Sequence, residues 1–348
     1  MSRTTIHDIA QLAGVGKATV SRVLNRTGYV SEETRRKVEK VIREHTYTPS
    51  AMARNLSRRA SDTIGVIIPE ADNPFFAEIL KGISGVVDDH NLTLIFCNTD
   101  NTMEKDLRSL HTVYKQQVRG LIYTPAIDYA AAGKREAVRQ ILDKLRVPVV
   151  VLDRPLDGLD LDGVFSDNNA GAYAATQALI RAGHRRIGIV AGDLELSIGR
   201  ERLKGFERAL SDHGLAVERR HVVKGRFDAS TSYRLTQQLL AGKNIPTAFF
   251  AANNLSAYGF LKAVFEKGFK IPDDMGFISF DRLGNLNDLG FRLSYTDRDV
   301  IGMGVEAMRL LLAKIENPGK RTETIVCPSK LSLLGSERAY PAKQAVSA

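Results

Sequence analysis

Residues 5–25 read TIHDIAQLAGVGKATVSRVLN, which predicts two short helices joined by a tight turn. Apolar residues recur at helical spacing in both halves, and Gly14 between them supplies the backbone freedom that such a turn needs. Lys17, Ala18 and Arg22 face away from the apolar stripe of the second helix. Small side chains allow a helix to approach the major groove of DNA closely, and an arginine can pair with guanine through two hydrogen bonds. The stretch therefore predicts a DNA-reading helix-turn-helix, with a plain charged surface helix as the alternative.

The charge of the chain is concentrated at its N-terminal end. The first 60 residues hold 12 Lys and Arg against 5 Asp and Glu, which supplies +7 of the formal net charge of +9. The other 288 residues are nearly neutral. A small basic segment on a nearly neutral remainder is expected where one end of a chain neutralises phosphates. The charge distribution thus favours nucleic acid as a partner of that end.

Residues 31–45, SEETRRKVEKVIREH, predict a third helix. Ser31 is a favourable N-cap, and the acidic residues after it suit the positive end of a helix dipole. This helix completes a DNA-binding head that we expect to span residues 1–48.

A short hinge follows the head. Pro49 ends the preceding helix, and SAMARNLSRR at residues 50–59 begins another short helical segment. Its small apolar face, which includes Ala53 and Leu56, cannot repay the cost of helix nucleation in isolation. We therefore expect the hinge helix and linker, residues 49–60, to fold only against a partner.

The remainder of the chain alternates short apolar runs with amphipathic helical segments from Thr63 onward. The runs are TIGVIIPE, LTLIFCNT, GLIYTPA, PVVVLDR, RIGIVAG, TAFFAAN and MGFISFD. This alternation predicts a doubly wound α/β body with parallel strands, whose ligand binds at the carboxyl ends of the strands. Polar residues follow several of these strands, namely Asp72, Asn73, Asp153, Arg154, Asn253, Asn254, Asp281 and Arg282. Each could instead be an ordinary helix cap, but their shared position favours a ligand site.

The composition limits the other classes of function. Hydrophobic residues make up 43% and charged residues 26%, which is ordinary for a globular protein. Cys97 and Cys327 are far apart without CxxC spacing, so neither a disulfide framework nor a zinc cluster is expected. No signal-peptide pattern and no apolar run of spanning length occur, which predicts a cytoplasmic protein without a membrane partner. No catalytic motif stands out, so we expect no enzyme, no cofactor and no metal.

The chain resembles the lactose repressor/galactose repressor (LacI/GalR) family of transcriptional regulators. The resemblance covers Thr4 to about Tyr340 and rests on the head motif, YTPSAMARNL, DNPFF, GHRRIGIVAG and RLKGFERAL, all in order. The body is similar to ribose-type periplasmic binding proteins. The resemblance implies a repressor of a carbohydrate-utilisation operon that acts as a homodimer or homotetramer. Its paired heads would bind a palindromic operator in double-stranded DNA, and a small carbohydrate-type effector would change that affinity. A stand-alone sugar-binding protein explains only the body, and activation or corepression stays open.

The resemblance also implies site residues. The positions that contact or support DNA in the family fall on Thr5, Lys17, Ala18, Thr19, Ser21, Arg22, Asn25, Thr34, Tyr47, Ala53 and Leu56. Leu56 matches a hinge leucine that wedges into the minor groove. The effector contacts fall on Asn73, Phe75, Phe76, Asp153, Arg154, Arg202, Phe227, Asn253, Asp281 and Arg298.

The body is expected to span residues 61–340 and to consist of two subdomains, followed by a tail at 341–348. The N-subdomain would comprise about 61–161 and 291–321. The C-subdomain would comprise about 162–290 and 322–340.

Four positions depart from the family pattern. Gly16 stands where Ser is usual, Asn254 where Asp is usual, Arg298 where Gln is usual and Asp299 where Pro is usual. A third guanidinium in the cleft would need an anionic partner, which predicts a sugar acid or sugar phosphate as effector. If Asp297 or Asp299 satisfies Arg298 locally, a neutral monosaccharide is the alternative.

Overall fold

The computed structural model describes residues 4–25, 27–47, 62–129 and 134–339. The chain divides into two compact units, residues 1–62 and 63–348. The first contains the predicted head and the second corresponds to the predicted body. The predicted hinge, with Ala53 and Leu56, lies outside the described residues, and so does the tail at 341–348.

The head contains the three predicted helices, α1 (Ile6–Ala13), α2 (Lys17–Asn25) and α3 (Glu32–Glu44). Thr5 and Asp8 form a reciprocal cap at the start of α1, and Ser31 caps α3 by accepting from the Thr34 amide. Gly14 adopts the left-handed conformation, with φ 64°, that the turn between α1 and α2 requires. The inward stripes of the helices meet in a small core of Ile9, Ala10, Ala13, Val20, Val23 and Val38.

The body alternates strands and helices in the predicted way. The strands are β1 (Thr63–Ile68), β2 (Thr93–Asn98), β3 (Gly120–Tyr123), β4 (Val149–Leu152), β5 (Asp162–Ser166), β6 (Ile187–Ala191), β7 (Val222–Lys224), β8 (Ala248–Ala251), β9 (Gly276–Phe280), β10 (Ser294–Arg298), β11 (Thr324–Cys327) and β12 (Ser329–Ser332). The helices are α4 (Pro74–Asp89), α5 (Met103–Lys115), α6 (Lys134–Leu145), α7 (Asn168–Arg181), α8 (Ser197–Asp212), α9 (Ala229–Leu240), α10 (Asn254–Glu266), α11 (Gly284–Asp288) and α12 (Val300–Glu316), with a 3₁₀ turn at Arg219–His221.

The strands form two six-stranded sheets, in the orders β11-β5-β4-β3-β1-β2 and β12-β10-β9-β8-β6-β7. Every strand pair is parallel except β10 with β12. Side chains on opposite faces of one strand enter different cores: Val66 of β1 packs into one and Ile67 into the other. Helices cover both faces of each sheet, so the apolar strands are buried on both sides. The predicted doubly wound body is confirmed.

The chain passes between the two sheets three times, after β5, after β10 and after β11. The sheet changes therefore occur near residues 167, 299 and 328 rather than at the predicted 161, 290 and 321. One more strand follows each predicted boundary before the chain changes sheets, namely β5, β10 or β11. That strand hydrogen-bonds to the sheet that the chain has occupied up to that point. Sheet membership depends on those partner strands, which are distant in sequence.

Candidate functional site

A narrow cleft with about 30 Å³ of open space lies at the carboxyl ends of the strands, between the two subdomains. All ten predicted effector residues line it, and each is buried. The lining also contains Glu70, Ile198 and Asn254, which sequence reasoning did not include. Asn254 was visible as half of a polar pair after β8, and Glu70 as the last residue of the first apolar run. Ile198 gave no signal.

Local backbone geometry aims several of these side chains. Asp153 and Asp281 follow β4 and β9 directly and adopt positive φ of 62° and 80°. Non-glycine residues rarely hold such a conformation without support from their surroundings, and it is often found at binding sites. Phe227, also at positive φ, reaches the cleft because residue 192 is glycine. A Cβ at Gly192 would lie 2.1 Å from the Phe227 ring.

The N-terminus of α4 contributes one wall. Asn73 caps this helix by accepting from the Phe75 amide at 3.1 Å, while its own amide group donates to Glu70 at 2.7 Å. Phe75 and Phe76 then pack edge to face, with ring centroids 4.9 Å apart. The wall therefore combines two aromatic rings with an amide and a half-buried carboxylate.

Arg298 lies between the two cleft carboxylates. Its Nη2 and Nε donate to Asp281 Oδ1 over 2.6 and 2.9 Å, and its Nη1 donates to Asp153 Oδ1 over 3.3 Å. Burial lowers the pKa of Arg298, but the charges of Asp281 and Asp153 outweigh this and leave it raised. The guanidinium carbon lies 4.1 Å from the centroid of the Phe75 ring.

The predicted local partners of Arg298 are therefore corrected. Neither Asp297 nor Asp299 pairs with it among the ion pairs of the described residues. Asp299 instead caps α12, accepting from the Gly302 amide at 2.9 Å. On strand β10, Asp297 is adjacent to Arg298 and so directs its side chain to the opposite face.

Arg202, by contrast, has only neutral hydrogen-bond acceptors. Its Nε donates to Asn168 Oδ1 at 2.8 Å and its Nη1 to the Ala252 carbonyl at 2.5 Å. The guanidinium lies 3.8 Å from the centroid of the Phe280 ring. Burial, followed by the nearby charge of Arg298, lowers the pKa of Arg202 to about 9. Its Nη2 makes no hydrogen bond to a described residue and is available to a ligand.

Arg154, which follows β4, lines the cleft from the N-subdomain. Its Nη1 donates to Asn101 Oδ1 at 2.7 Å and to the carbonyls of Pro125 and Ala126. Its Nε is buried without a partner among the described residues. Burial lowers the pKa of Arg154 despite nearby Asp153. A buried donor without an acceptor is costly, so a ligand oxygen would stabilise this group.

The head presents a candidate DNA-reading surface. Lys17, Ala18 and Arg22 are exposed, and Thr19 and Ser21 are half-buried beside them. The aliphatic part of the Arg22 side chain lies over Gly28. A Cβ built at Gly28 would be 3.4 Å from Arg22 Cδ.

The other predicted head positions have visible structural contacts. Thr5 caps α1 and Thr34 accepts from the Ser31 hydroxyl at 2.8 Å. Tyr47 packs half-buried against the head core, and burial raises its pKa. Asn25 is the last residue of α2, and its side chain lies outside what the structure describes.

Residues 4–25, 27–47, 62–129 and 134–339 include no helix that is both long and apolar enough to cross a membrane. Within the same ranges no group of three or more His, Cys, Asp or Glu side chains could hold a metal ion.

Comparison with known proteins assigns both units to one family. Residues 5–50 match the family described as bacterial regulatory proteins, lacI family. Residues 61–334 match periplasmic binding proteins and sugar binding domain of LacI family. The chain belongs to the LacI family. It is thus a LacI-family DNA-binding transcriptional regulator, as the sequence predicts.

Relatives of this LacI-family chain have similar length. The ribose operon repressor of Haemophilus influenzae is 34% identical over 322 residues, which covers 92% of this chain and 95% of that protein. The HTH-type transcriptional repressor PurR of Histophilus somni is 32% identical over 321 residues, with the same coverage. Among solved structures, the transcriptional regulator CelR in complex with cellobiose is 27% identical, with a TM-score of 0.72 over 96% of this chain and 100% of that one.

Proposed function

We propose that this protein is a carbohydrate-responsive repressor. Its paired heads would bind a palindromic operator, and a small polyhydroxylated effector in the cleft would change that affinity. The observation that carries the proposal is the convergence around one cavity of ten buried side chains that the family resemblance assigned to effector binding. The names of the relatives, a ribose operon repressor and a cellobiose complex among them, support a carbohydrate.

The chemistry of the lining suits hydroxyl groups. Carboxylate and amide oxygens accept from hydroxyls, guanidinium groups donate to them, and aromatic rings pack on the apolar face of a sugar. The cleft has about 30 Å³ of open space, which is room for a water molecule and less than a sugar needs, so an effector would enter only when the subdomains move apart. The described lining contains no Ser, Cys, His or Lys, and its carboxylates already accept hydrogen bonds, Asp153 and Asp281 from Arg298 and Glu70 from Asn73. We therefore propose binding without turnover, in the cytoplasm where the operator is.

The charge balance favours a neutral effector. Arg298 is neutralised by Asp281 and Asp153, so it does not need an anion from the ligand. Arg298, Asp281 and Asp153 together carry one net negative charge, and the half-buried Glu70 carries another. These two negative charges balance the positive charges of Arg154 and Arg202. A neutral monosaccharide leaves this balance undisturbed.

A sugar acid or sugar phosphate is the second candidate. Arg202 has only neutral acceptors, and Arg154 Nε has none among the described residues. Either guanidinium could hold an anionic oxygen, because charge-assisted hydrogen bonds are stronger than neutral ones.

Titration distinguishes the two candidates. Thermal midpoint and operator affinity would be measured with D-ribose, D-gluconate and D-ribose 5-phosphate, since a ligand at a hundred times its Kd adds about 2.7 kcal/mol to stability. Tightest binding of the neutral pentose supports the first candidate, and tightest binding of an acid or phosphate supports the second. Phe227→Ala removes an aromatic wall of the cleft and should abolish the response. Tyr114→Ala, at an exposed position outside the cleft, is the matched control. Equal responses of the two variants would contradict the cleft as the effector site.

We further propose that the protein is at least a homodimer, with a tetramer as the alternative. Phe96 lies exposed on β2, the edge strand of its sheet, and Phe265 and Phe291 form an exposed ring pair 6.1 Å apart. Exposed apolar groups and an unpaired strand edge are typical of an interface between subunits. Two-fold symmetry of a dimer would also match a palindromic site. A sedimenting monomer at micromolar concentration that still binds its operator specifically would contradict this.

Coupling between cleft and head would proceed through a shift in population. An effector that binds one relative orientation of the subdomains more tightly favours that orientation. We propose that the pairing of the hinge segments, residues 49–60, depends on this orientation, so that the effector changes operator affinity without contacting the recognition helices. Both induction and corepression fit this scheme.

A further inference from the structure

We propose that Arg298 is a positioning residue that holds the two subdomains together in the absence of an effector. Its guanidinium occupies the cleft as a bound ligand would, and its contact with Asp153 is called here the clasp. The inference rests on the proposed function in so far as the cleft is the effector site. It goes beyond that function because it assigns to the protein itself a contact that would otherwise be left to the effector.

The contacts of Arg298 are those expected of a bound molecule. Its guanidinium packs on Phe75 and donates to Asp281 and Asp153, which are three of the residues predicted from the sequence to contact an effector. A fourth hydrogen bond goes to Ser166 Oγ at 3.3 Å. Four of the five N–H groups of the guanidinium are thereby used by the protein.

These contacts span both subdomains. Arg298 ends β10 and Asp281 follows β9, both in the C-subdomain sheet. Asp153 follows β4, and Phe75 begins α4, both in the N-subdomain. Arg298 is also the last strand residue before the chain crosses to α12, so its position is set at a point that both subdomains share.

The groups of this clasp are buried. The Arg298 side chain is 2% exposed, and those of Asp153 and Asp281 are 4% and 10% exposed. Replacing Arg298 by a neutral residue would leave both carboxylates buried without their cationic partner, which favours an open cleft where water reaches them. Losing one partner of a buried ion pair is far more costly than losing a surface pair.

A second contact between the subdomains supplies a control. At the rim, Arg200 Nη2 lies 2.6 Å from Asp128 Oδ2, but the Arg200 side chain is 42% exposed. The Asp128 side chain is 15% exposed, so this pair, which bridges the same two subdomains outside the cleft lining, is less buried than the clasp. Its removal should weaken closure far less than removal of the buried clasp.

The test is hydrogen exchange on the ligand-free full chain. Arg298→Gln removes the charge while it keeps an amide donor, and Arg200→Gln is the matched control. The amides of Phe76 and Leu255, in the first turns of α4 and α10 beside the cleft, are called here the rim amides. We expect their exchange to accelerate more than about tenfold in Arg298→Gln and less than about twofold in Arg200→Gln, because the buried pair resists opening more than the exposed pair does. Amides of the central strands β1 and β6 should keep the parental rate in both.

A double-mutant cycle shows whether the clasp itself is responsible. Asp153→Asn should accelerate rim exchange as Arg298→Gln does, and the double variant should be no faster than either single variant, because all three lack the same contact. The double variant also removes one charge of each sign, so the net charge of the cleft stays that of the parent.

Three outcomes would overturn the proposal: rim exchange within twofold of the parent in Arg298→Gln, equal acceleration in Arg200→Gln, or acceleration that extends to the central strands. Additive effects in the double variant would equally refute a direct Arg298–Asp153 clasp. No effector enters the experiment, so its result stands apart from whether the cleft binds a sugar.

Discussion

Glycine at position 82 should be required for the packing of α4 against α12. A Cβ added at Gly82 would lie 2.2 Å from the Ile301 carbonyl oxygen, which is backbone and cannot rotate away. On the same helix, a Cβ at Gly85 meets nothing within 4 Å. Alanine raises helix propensity at both positions by about 1 kcal/mol, so this gain cancels when the two variants are compared. The difference between Gly82→Ala and Gly85→Ala is then the cost of overpacking, about 1–3 kcal/mol.

Thermal unfolding followed by far-ultraviolet circular dichroism measures this difference, since the chain has no Trp for fluorescence. Gly82→Ala should melt below the parent, and Gly85→Ala at or above it. A separation of about 2–4 °C is expected for each kcal/mol in a domain of this size class. Because α4 begins at the Phe75 wall and α12 follows Arg298, Gly82→Ala should also weaken effector binding. Equal melting temperatures of the two variants would refute the backbone contact as the cause.

Three other predictions concern the head, the hinge and the body core. Arg22→Ala should weaken operator binding by about 1–3 kcal/mol and relax one base position in each half-site, and an equal loss on random DNA would assign Arg22 to the phosphate backbone. Leu56→Ala should lower operator affinity more than twofold in an anisotropy titration while effector binding stays unchanged. Asp106→Asn should melt close to the parent, because an amide oxygen still accepts from the Tyr123 and Tyr129 hydroxyls, both at 2.8 Å, and burial already raises the pKa of Asp106. Asp106→Leu would leave those donors unpaired and should cost about 1–3 kcal/mol for each.

Strong local signals accounted for much of the fold. Helix caps such as Ser31, the turn at Gly14 and the strands at seven apolar runs each depend on residues close together in the chain, and the structure confirms them. The location of the cleft was also predictable. Parallel strands bring their carboxyl ends to one edge of a sheet, so polar residues that follow them must meet there.

The weaker strands were not predictable. β10 reads SYTDR and β12 reads SKLS, and neither has the apolar run that marks a buried strand. β5, β7 and β11 are similarly short or mixed in polarity. They become strands through hydrogen bonds to neighbours far away in sequence, which also explains why the subdomain boundaries lie later than expected.

The sequence, through its family resemblance, indicated ten of the side chains that line the cleft, including the unusual arginine at 298. Only the tertiary structure decided what that arginine binds. The sequence suggested the adjacent carboxylates of Asp297 and Asp299, but the partners are Asp281 and Asp153, 17 and 145 residues away. Neighbours on a strand point to opposite faces, whereas residues at the ends of adjacent strands and facing subdomains share one cleft. The charge balance at Arg298, and with it the chemistry offered to an effector, therefore depends on how the strands are assembled rather than on local sequence.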